Sequence, residues 1–386
     1  GDPTMSGREY PYRKDARAGD PMRAIEELAE QVGLRGVRLV AGDIAGDDTA
    51  YVWEPYPEGW AQDDSLWEYG APVSALTFND NAMTLRVRPG PEMGDPAQLR
   101  LTPDTGYFAI DNRVATAAAA GERNVRIDRA PGSRQLRVWG AMPAKDRGVS
   151  VLVAADDPAL YAATALREAL IRRGVAVLGK AVARHRSASD VLDMKGGGEA
   201  SAPSPGVELA RRESLPLAEI LRVIDKVSQN LHAEIALREV GRARRNLGSR
   251  QAGLVEMRGF LQDADIAGSE YTMEDGSGLS RLNLVTPEAV TKLLLAMSRS
   301  ARAEVWNSLL PVGGEDGTLS DRFKGMRDGS RVRAKTGTLG HVSALSGYVD
   351  SQSNGMLAFS ILVNNYNAPS REIRAIIDKI CSVIAR

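Results

Sequence analysis

Apolar residues at spacings of three and four predict amphipathic helices along much of the chain. Asp20, Asp157 and Thr286 each precede a proline, which is typical of a capped helix start. Gly33 and Gly174 end the first two of these helices. A helix over "SLPLAEILRVIDKV" runs directly into another over "SQNLHAEIALREVG", and an isoleucine-rich helix closes the chain. The expected buried faces are Ile25, Leu28, Ala29 and Val32; Leu166 and Leu170; Leu217, Ile220, Leu221 and Ile224; Val290, Leu293, Leu294 and Met297; and Ile373, Ile376, Ile377, Ile380, Cys381 and Ile384.

Period-two alternation predicts strands between and after these helices. "VRLVAGDI" and "VAVLG" lie beside helices, whereas "MTLRVRPG", "NVRIDRA" and "RQLRVWGAM" follow one another between turn residues from 80 to 155. In the last third, "RVRAKT" precedes "ALSGYV" and "MLAFSILV", which Asn354 and Gly355 join as a hairpin. We therefore expect an antiparallel β region in the first half and an antiparallel sheet with helical cover near the C terminus.

The order of these elements predicts an α+β, multidomain fold. With 386 residues, the chain is long enough for two or three domains of roughly 100 to 200 residues each. The stretch "MKGGGEASAPSPG" at 194–206 is the most linker-like and marks the main boundary. The expected division is an inserted α/β domain at 1–80 and 156–205, a nested β subdomain at 81–155, and a second domain at 206–386.

Composition and charge restrict the functional classes. Hydrophobic residues make up 43% and charged residues 26% of the chain, as in an ordinary globular protein. The formal net charge of -1 leaves no basic surplus for a phosphate backbone, so nucleic acid is not an expected partner. No apolar run approaches the roughly 20 residues of a transmembrane helix. Cys381 is the only cysteine, and its place on an apolar helix face predicts a core residue.

The stretch "RAKTGTLG" at 333–340 is the first candidate for chemistry. Alternation predicts a half-buried strand, where glycine is unfavourable unless another backbone or a ligand approaches closely. In one interpretation it is an edge strand that lines a cleft. Lys335 would supply positive charge to such a cleft, and Thr336 and Thr338 would supply hydroxyls. Gly337 would leave room for a peptide-like substrate. A solvent-facing lysine beside a bulge glycine explains the same residues without any ligand.

A second candidate, Ser228-Gln229-Asn230, lies where two apolar helices meet. Short polar side chains can reach neighbouring groups from such a junction, but they also cap helices and turns for purely local reasons. The order of the surrounding motifs favours a functional interpretation. "SQNLHAE" is followed by "DGSGLSRLNL" at 275–284, by "LLPVGGEDGTL" at 309–319 and by "KTGTLG" in the predicted edge strand.

This series resembles the D-alanyl-D-alanine carboxypeptidase/endopeptidase family, the class C low-molecular-mass penicillin-binding proteins, whose peptidase domain carries a large insert. "GDPTMS", "GDIAGDD" and "YGAPVSAL" also resemble that insert, so the likeness covers nearly the whole chain. It implies a penicillin-binding-protein-like antiparallel sheet with helical cover as part of a serine peptidase domain at 206–386. It further implies peptidoglycan stem peptides ending in D-Ala-D-Ala as substrates, β-lactam antibiotics as ligands, no cofactor, and a periplasmic or extracytoplasmic location.

Penicillin-recognising serine enzymes combine a Ser-x-x-Lys helix, a Ser-x-Asn loop and a Lys-Thr-Gly strand. The resemblance implies that Ser228 relays protons, that Asn230 binds the substrate's peptide carbonyl, and that Lys335 raises the local positive potential. Thr336 and Thr338 would bind the terminal carboxylate of the substrate, and the backbone N–H of Thr338 would form half of an oxyanion hole. The implied substrate-binding residues are Thr336, Gly337, Thr338 and Leu339.

The chain departs from the family pattern in one respect. None of its lysines has a serine three positions earlier, so Ser-x-x-Lys is absent from the sequence. In the family this motif lies upstream of the insert, and the chain opens at or just inside the insert. We therefore expect a truncated form that lacks the nucleophile and forms no acyl-enzyme by itself. A catalytically inactive peptidoglycan-binding homologue is the alternative.

Sites based on histidine or a metal fit the sequence less well. His185, His232 and His341 are the only histidines, no G-x-S-x-G motif accompanies them, and we expect structural or supporting roles for His232 and His341. The histidines also lack the spacing of zinc ligands, so no metal site is expected. A β-lactamase-like or esterase-like acyl hydrolase shares the catalytic elements and is a further alternative.

Overall fold

A computed structural model of the chain describes residues 1–8, 10, 12, 19–198, 206–324 and 331–386. The helices are α1 (Arg23–Leu34), α2 (Pro158–Arg172), α3 (Leu217–Val227), α4 (Asn230–Arg245), α5 (Arg250–Asp263), α6 (Pro287–Ser298), α7 (Ala303–Leu309) and α8 (Ser370–Ile384). The strands are β1 (Leu39–Val40), β2 (Ile44–Val52), β3 (Ala82–Arg88), β4 (Gln98–Thr102), β5 (Ala109–Ala117), β6 (Asn124–Asp128), β7 (Gln135–Pro143), β8 (Val149–Ala154), β9 (Ala176–Val177), β10 (Ala181–Arg186), β11 (Tyr271–Thr272), β12 (Leu284–Val285), β13 (Val332–Leu339), β14 (Val342–Ser351) and β15 (Gly355–Asn364).

One hydrophobic core joins the helices and sheets of the N-terminal half. The inward residues of β3, Met83, Leu85 and Val87, are fully buried and pack in the same cluster as Ala165 of α2 and Ile25 of α1. β3 pairs antiparallel with β4 on one side and β8 on the other, which the alternating sequence predicted. The cap-and-proline start of α2 is also confirmed.

Two expectations for the N-terminal half are wrong. β5 pairs with β7 in parallel rather than antiparallel. The order in this sheet is β5-β7-β6, so β6, which lies between β5 and β7 in sequence, pairs antiparallel with β7 on the side away from β5. Alternation identifies the two faces of a strand but not the direction of its partner. The strand expected at 37–44 is interrupted at 41–43, where the chain bends at Gly42 and the Asp43 carboxylate accepts a hydrogen bond of 2.8 Å from the backbone N–H of Lys180. Only β1 and the first residue of β2 fall within that stretch.

The C-terminal sheet has the order β13-β14-β15 with antiparallel pairing throughout. β13 lies at one edge of these three strands, as the sequence predicted for the "RAKTGTLG" stretch. The expected hairpin joins β14 to β15, and Gly355 has the positive φ of 71° that favours glycine in a tight turn. Lys335 and Gly337 therefore lie on a strand with one hydrogen-bonding edge free of β14.

α8 packs behind this sheet and carries the single cysteine. Ile377 and Cys381 are buried in a cluster with Leu345 and Val349 of β14, and burial raises the pKa of the Cys381 thiol to about 12. The core position of Cys381 is confirmed. The expected burial of Ile376 and Ile380 is wrong, because their side chains are 53% and 42% exposed. They lie on the flank of α8, beside the face that packs against the sheet.

α3 also differs from its expected packing. Its buried residues are Val223 and Lys226, whereas Leu217 is 66% exposed and Ile220, Leu221 and Ile224 are only partly buried. Their apolar face borders an open groove of about 960 Å³ between α3, α4 and α5, which Met257 and Phe260 also line. The prediction of an apolar face is therefore correct, but that face is largely uncovered.

The linker-like stretch at 194–206 lies partly outside the described residues, because the structure leaves out 199–205. The division into domains stays a prediction. In the part of the chain that is described, no helix has the length and apolar character needed to span a membrane.

Candidate active site

Ser228 occupies the sharp turn between α3 and α4. It ends α3 with left-handed backbone angles, φ 61° and ψ 50°, which a residue other than glycine adopts at some energetic cost. Gln229 then caps α4, since its side chain accepts a hydrogen bond of 2.7 Å from the backbone N–H of Leu231. The hydroxyl of Ser228 is thus held at the junction of two helices.

The ammonium group of Lys335 contacts this hydroxyl directly. The Nζ of Lys335 donates a hydrogen bond of 2.6 Å to Oγ of Ser228 and another of 2.8 Å to the backbone carbonyl of Thr336. The two contacts fix the end of a long, flexible side chain. Two residues singled out from sequence, 107 positions apart, therefore meet in the folded chain.

Burial changes the pKa values of two ionisable groups beside this contact. It lowers the pKa of Lys335 to about 8, and the carboxylate of Asp225 partly opposes that change. It raises the pKa of Asp225 to about 6, against the attraction of Lys335 and Lys226. Both groups can therefore change protonation within about a unit of neutral pH, as general acids and bases do.

Asn230 and Gln229 connect this turn to the N-terminal half. The side-chain amide of Asn230 donates a hydrogen bond of 2.9 Å to the backbone carbonyl of Tyr69. The amide of Gln229 donates one of 2.6 Å to the carboxylate of Glu68. The short 3-10 helix Glu68–Gly70 thus supports the Ser228 turn from outside the C-terminal sheet.

A buried ion pair fastens α3 to the loop that precedes β13. The Nζ of Lys226 lies 2.9 and 2.6 Å from the two carboxylate oxygens of Asp316 and 2.7 Å from the carbonyl of Leu310. Further along the same loop, the hydroxyls of Thr318 and Thr336 are hydrogen-bonded at 2.9 Å. The loop is therefore bonded to α3 through Lys226 and to β13 through Thr336. These contacts hold Ser228 and Lys335 in position relative to each other.

The remaining predicted substrate-binding residues follow Lys335 along β13. Thr338 is exposed, whereas Thr336, Gly337 and Leu339 are partly buried. A Cβ on Gly337 would approach only the Cβ of Ala344, at 3.3 Å, so packing within the sheet does not by itself require glycine there. The substrate-binding roles of these four residues stay predictions.

A cavity of about 610 Å³ opens beside the Ser228 turn. Ser228, Gln229 and Asn230 line one end of it. Arg8 and Glu68 line it from the N-terminal half, as do outward-facing side chains of β3, β4 and β8. A ligand in contact with Ser228 could therefore extend from the helix junction onto the β subdomain.

Three ionisable residues at the site were given no role by the sequence analysis: Asp225, Lys226 and Asp316. One available signal was the position of Lys226, a charged residue three places after Val223 on the face of α3 that packs inward. Another was Asp316, within the motif "LLPVGGEDGTL" that contributed to the family resemblance. Neither signal identifies the partner, because the two residues lie 90 positions apart.

The histidines make contacts of other kinds. His232 is buried with its Nε2 at 2.9 Å from Asp80, and Nδ1 of His341 is 2.8 Å from the carbonyl of Tyr366. His185 contacts Asp48 and stacks on Trp53. Within the described ranges, no group of three or more His, Cys, Asp or Glu side chains is arranged to hold a metal ion.

Comparison with known proteins places the chain in a defined family. The family model for the D-Ala-D-Ala carboxypeptidase 3 (S13) family matches residues 1–384. The D-alanyl-D-alanine carboxypeptidase of Actinomadura sp. (strain R39) is 36% identical over 366 residues, which cover 91% of this chain and 65% of that protein. The D-alanyl-D-alanine carboxypeptidase DacB of Haemophilus influenzae is 24% identical, covering 92% of this chain and 72% of the relative.

The fold is similar to that of solved penicillin-binding proteins. The crystal structure of penicillin binding protein 4 (dacB) from Haemophilus influenzae has a TM-score of 0.81 at 20% identity, covering 95% of this chain and 79% of that chain. A second structure of that protein, complexed with a β-lactam, has a TM-score of 0.73 at 21% identity, covering 94% and 77%. The mixed α and β fold expected from the sequence is thus confirmed.

The chain belongs to the S13 family of D-Ala-D-Ala carboxypeptidases. The family resemblance drawn from the order of its motifs is confirmed. The chain spans 65% of the length of the Actinomadura relative, which is less than two thirds.

Proposed function

We propose that Ser228, Asn230 and Lys335 form part of the active site of a penicillin-sensitive, serine-type D-Ala-D-Ala carboxypeptidase or endopeptidase. The observation that carries the proposal is the 2.6 Å hydrogen bond between Nζ of Lys335 and Oγ of Ser228. Ser228 and Asn230 line the cavity of about 610 Å³, whereas Lys335 contacts Ser228 from outside its lining. A lysine and a serine hydroxyl in contact can pass a proton between them, which acyl transfer to a serine requires. Family membership supports the same chemistry.

In the proposed reaction, a serine nucleophile passes its hydroxyl proton to the relay of Ser228 and Lys335, attacks the carbonyl between the two D-Ala residues and forms an ester. The C–N bond breaks, and the leaving amine of the terminal D-Ala takes a proton through the hydroxyl of Ser228, which Lys335 replenishes. Asn230 binds the peptide carbonyl of the substrate, and the Thr338 N–H donates to the oxygen that becomes negative. Water then hydrolyses the ester.

The lowered pKa of Lys335 suits this role. With a pKa of about 8, roughly a tenth of the Lys335 side chains are neutral at pH 7. At the ordinary lysine value of 10.5, only about 0.03% would be neutral at that pH. A pKa this close to neutral pH lets Lys335 both give up a proton and take one back, which favours Lys335 as a participant in the proton relay.

The serine nucleophile is proposed to lie outside these 386 residues, because the sequence contains no Ser-x-x-Lys. The segment that bears this serine is proposed to bind in the open groove between α3, α4 and α5. The groove is lined by apolar residues, among them Leu221 and Phe260, and the helix that forms its α3 wall ends at Ser228. An amphipathic helix packed there would bury those residues and lie against α3, the helix that ends at Ser228.

The proposed substrates are stem peptides of peptidoglycan that end in D-Ala-D-Ala, with β-lactam antibiotics as inhibitors. The terminal carboxylate would bind near Thr336, Thr338 and Lys335, where a positive charge and hydroxyls are close together. Gly337 and Leu339 would line the path of the substrate backbone. Action on peptidoglycan also implies a periplasmic or other extracytoplasmic location.

A labelled penicillin tests the proposal. We expect covalent labelling of the product of the complete gene and no labelling of the 386-residue chain alone. Hydrolysis of a diacyl-D-Ala-D-Ala peptide should exceed hydrolysis of nitrocefin, and the opposite preference would indicate a β-lactamase-like enzyme instead. If neither protein is labelled, the catalytic proposal is wrong, and the lack of Ser-x-x-Lys then favours a peptidoglycan-binding homologue without activity.

A further inference from the structure

The outward face of the sheet formed by β4, β3 and β8 begins at the active-site cavity. Thr84 pairs with Thr102 on one side and Leu152 on the other, and all three line the cavity beside Ser228. The next row on the same face contains Arg86, which lies opposite Arg100. Rows on one face of a strand are about 7 Å apart, so this arginine pair lies just beyond the edge of the cavity.

The positive charge on this face is uncompensated. The outward positions are Thr84, Arg86, Arg88, Gln98, Arg100, Thr102, Ser150 and Leu152. They include three exposed arginines and no acidic residue. Among the residues that the structure describes, none of these arginines forms an ion pair, and Arg86 only donates a hydrogen bond of 3.3 Å to Ser150. Like charges directly opposite each other on neighbouring strands destabilise a sheet.

The neighbouring sheet of β5, β7 and β6 also has outward arginines, and two of them lie beside acidic residues. Arg113 forms an ion pair of 2.8 Å with Asp111 on the same strand. Arg137 lies opposite Asp111 on one side and Asp128 on the other. Arg113 and Arg137 therefore have acidic neighbours on their sheet, whereas the arginines on the face that adjoins the cavity have none.

We propose that the Arg86–Arg100 pair binds carboxylates on the substrate peptide beyond its D-Ala-D-Ala end. This inference rests on the proposed function. A substrate whose scissile bond lies at Ser228 can extend through the cavity and over Thr84 and Thr102. Guanidinium groups bind carboxylates through paired, charge-assisted hydrogen bonds, and two of them side by side favour an acidic ligand over a neutral one. The pair thereby selects peptides with acidic internal residues.

Two synthetic pentapeptides ending in D-Ala-D-Ala test this inference by calorimetric titration of the 386-residue chain. One carries two internal carboxylates, and the other carries carboxamides in their place. We expect the acidic peptide to bind about tenfold more tightly, because each charge-assisted contact at an exposed site contributes modestly. The R86Q/R100Q variant should bind both peptides equally, whereas R113Q/R137Q, on the charge-balanced face, should keep the preference.

An equal affinity of the unaltered chain for both peptides would overturn the inference, as would a preference that persists in R86Q/R100Q. Failure to bind either peptide would also overturn it. Circular dichroism should be unchanged in both variants, since all four side chains are exposed. Failure of the proposed function is distinguishable, because it would appear as an absence of penicillin labelling, which this comparison of two peptides does not measure.

Discussion

The ammonium group of Lys226 lies 2.6 Å from Oδ2 of Asp316 and joins the helix that ends at Ser228 to the loop that supports β13. Lys226 is only 5% exposed. The same carboxylate accepts a hydrogen bond of 2.9 Å from the backbone of Val312, so one buried charge pair orders both the helix end and the loop. The position of Ser228 relative to Lys335 thus depends on contacts made two residues before it.

Replacing Lys226 by methionine should destabilise the protein strongly. The change leaves the Asp316 carboxylate without its buried partner, and losing one member of such a pair costs about 3–5 kcal/mol. Urea unfolding measures this difference. The control is Glu27→Gln in the exposed pair with Arg23, which should cost at most about 0.5 kcal/mol. Equal effects of the two substitutions would contradict the structural role of Lys226, and K226M/D316L should recover part of the lost stability.

The raised pKa of Asp225 predicts that the free energy of unfolding falls as pH rises from about 4 to about 6. Burial raises its pKa from 3.8 to about 6, so the folded protein holds a proton that the unfolded chain has released in this range. The free energy of unfolding must therefore decrease as pH rises through it and level off above pH 6. Asp225→Asn removes this contribution. A pH series of urea denaturations should show a smaller decrease for the variant, and an unchanged decrease would assign it to other groups.

The same substitution should lower the pKa of Lys335 below about 8. The carboxylate of Asp225 favours the charged form of the lysine, and asparagine cannot do so. The chemical shift of the Lys335 side chain, followed by NMR against pH, measures the change. Asp350→Asn, at the far end of β14, is the matched control and should leave this titration unaltered. A raised or constant Lys335 pKa in D225N would contradict the attraction between the two groups.

Gly337 should be needed for ligand binding rather than for folding. A Cβ there would meet only the Cβ of Ala344 at 3.3 Å, so Gly337→Ala should change the unfolding free energy by less than about 1 kcal/mol. At Gly347 a Cβ would lie 2.1 Å from the carbonyl of Arg333, and Gly347→Ala should destabilise the sheet severely. In the product of the complete gene, Gly337→Ala should slow penicillin labelling about tenfold or more, because the methyl group displaces the ligand from β13. Normal labelling would mean that the ligand does not pass over Gly337.

The sequence predicts the local elements around Ser228 and Lys335 well. Alternation identifies β13 as a strand, and the polar residues between two apolar helices identify the junction of α3 and α4 at Ser228. What it does not reveal are relationships that depend on the tertiary fold. The partner of Lys226 is distant in sequence, and the parallel pairing of β5 with β7 depends on where β6 lies.

The apolar face of α3 illustrates the same limit. Its periodicity predicts that Leu217, Ile220 and Leu221 pack against something, but periodicity does not identify what covers them. In the structure they border the groove next to α4 and α5. A similar difference applies to Ile376 and Ile380, where an apolar stripe is wider than the contact that α8 makes with the sheet.

The rate of penicillin labelling of the complete gene product, with and without Lys335→Ala, tests the central claim most directly. Lys335 is proposed to supply the proton that passes through Ser228, so its loss should slow labelling by about 100-fold or more while the fold stays intact. Lys379→Ala, an exposed lysine on α8, is the control and should label at the normal rate. A labelling rate that is the same in Lys335→Ala as in the unaltered protein would contradict the account.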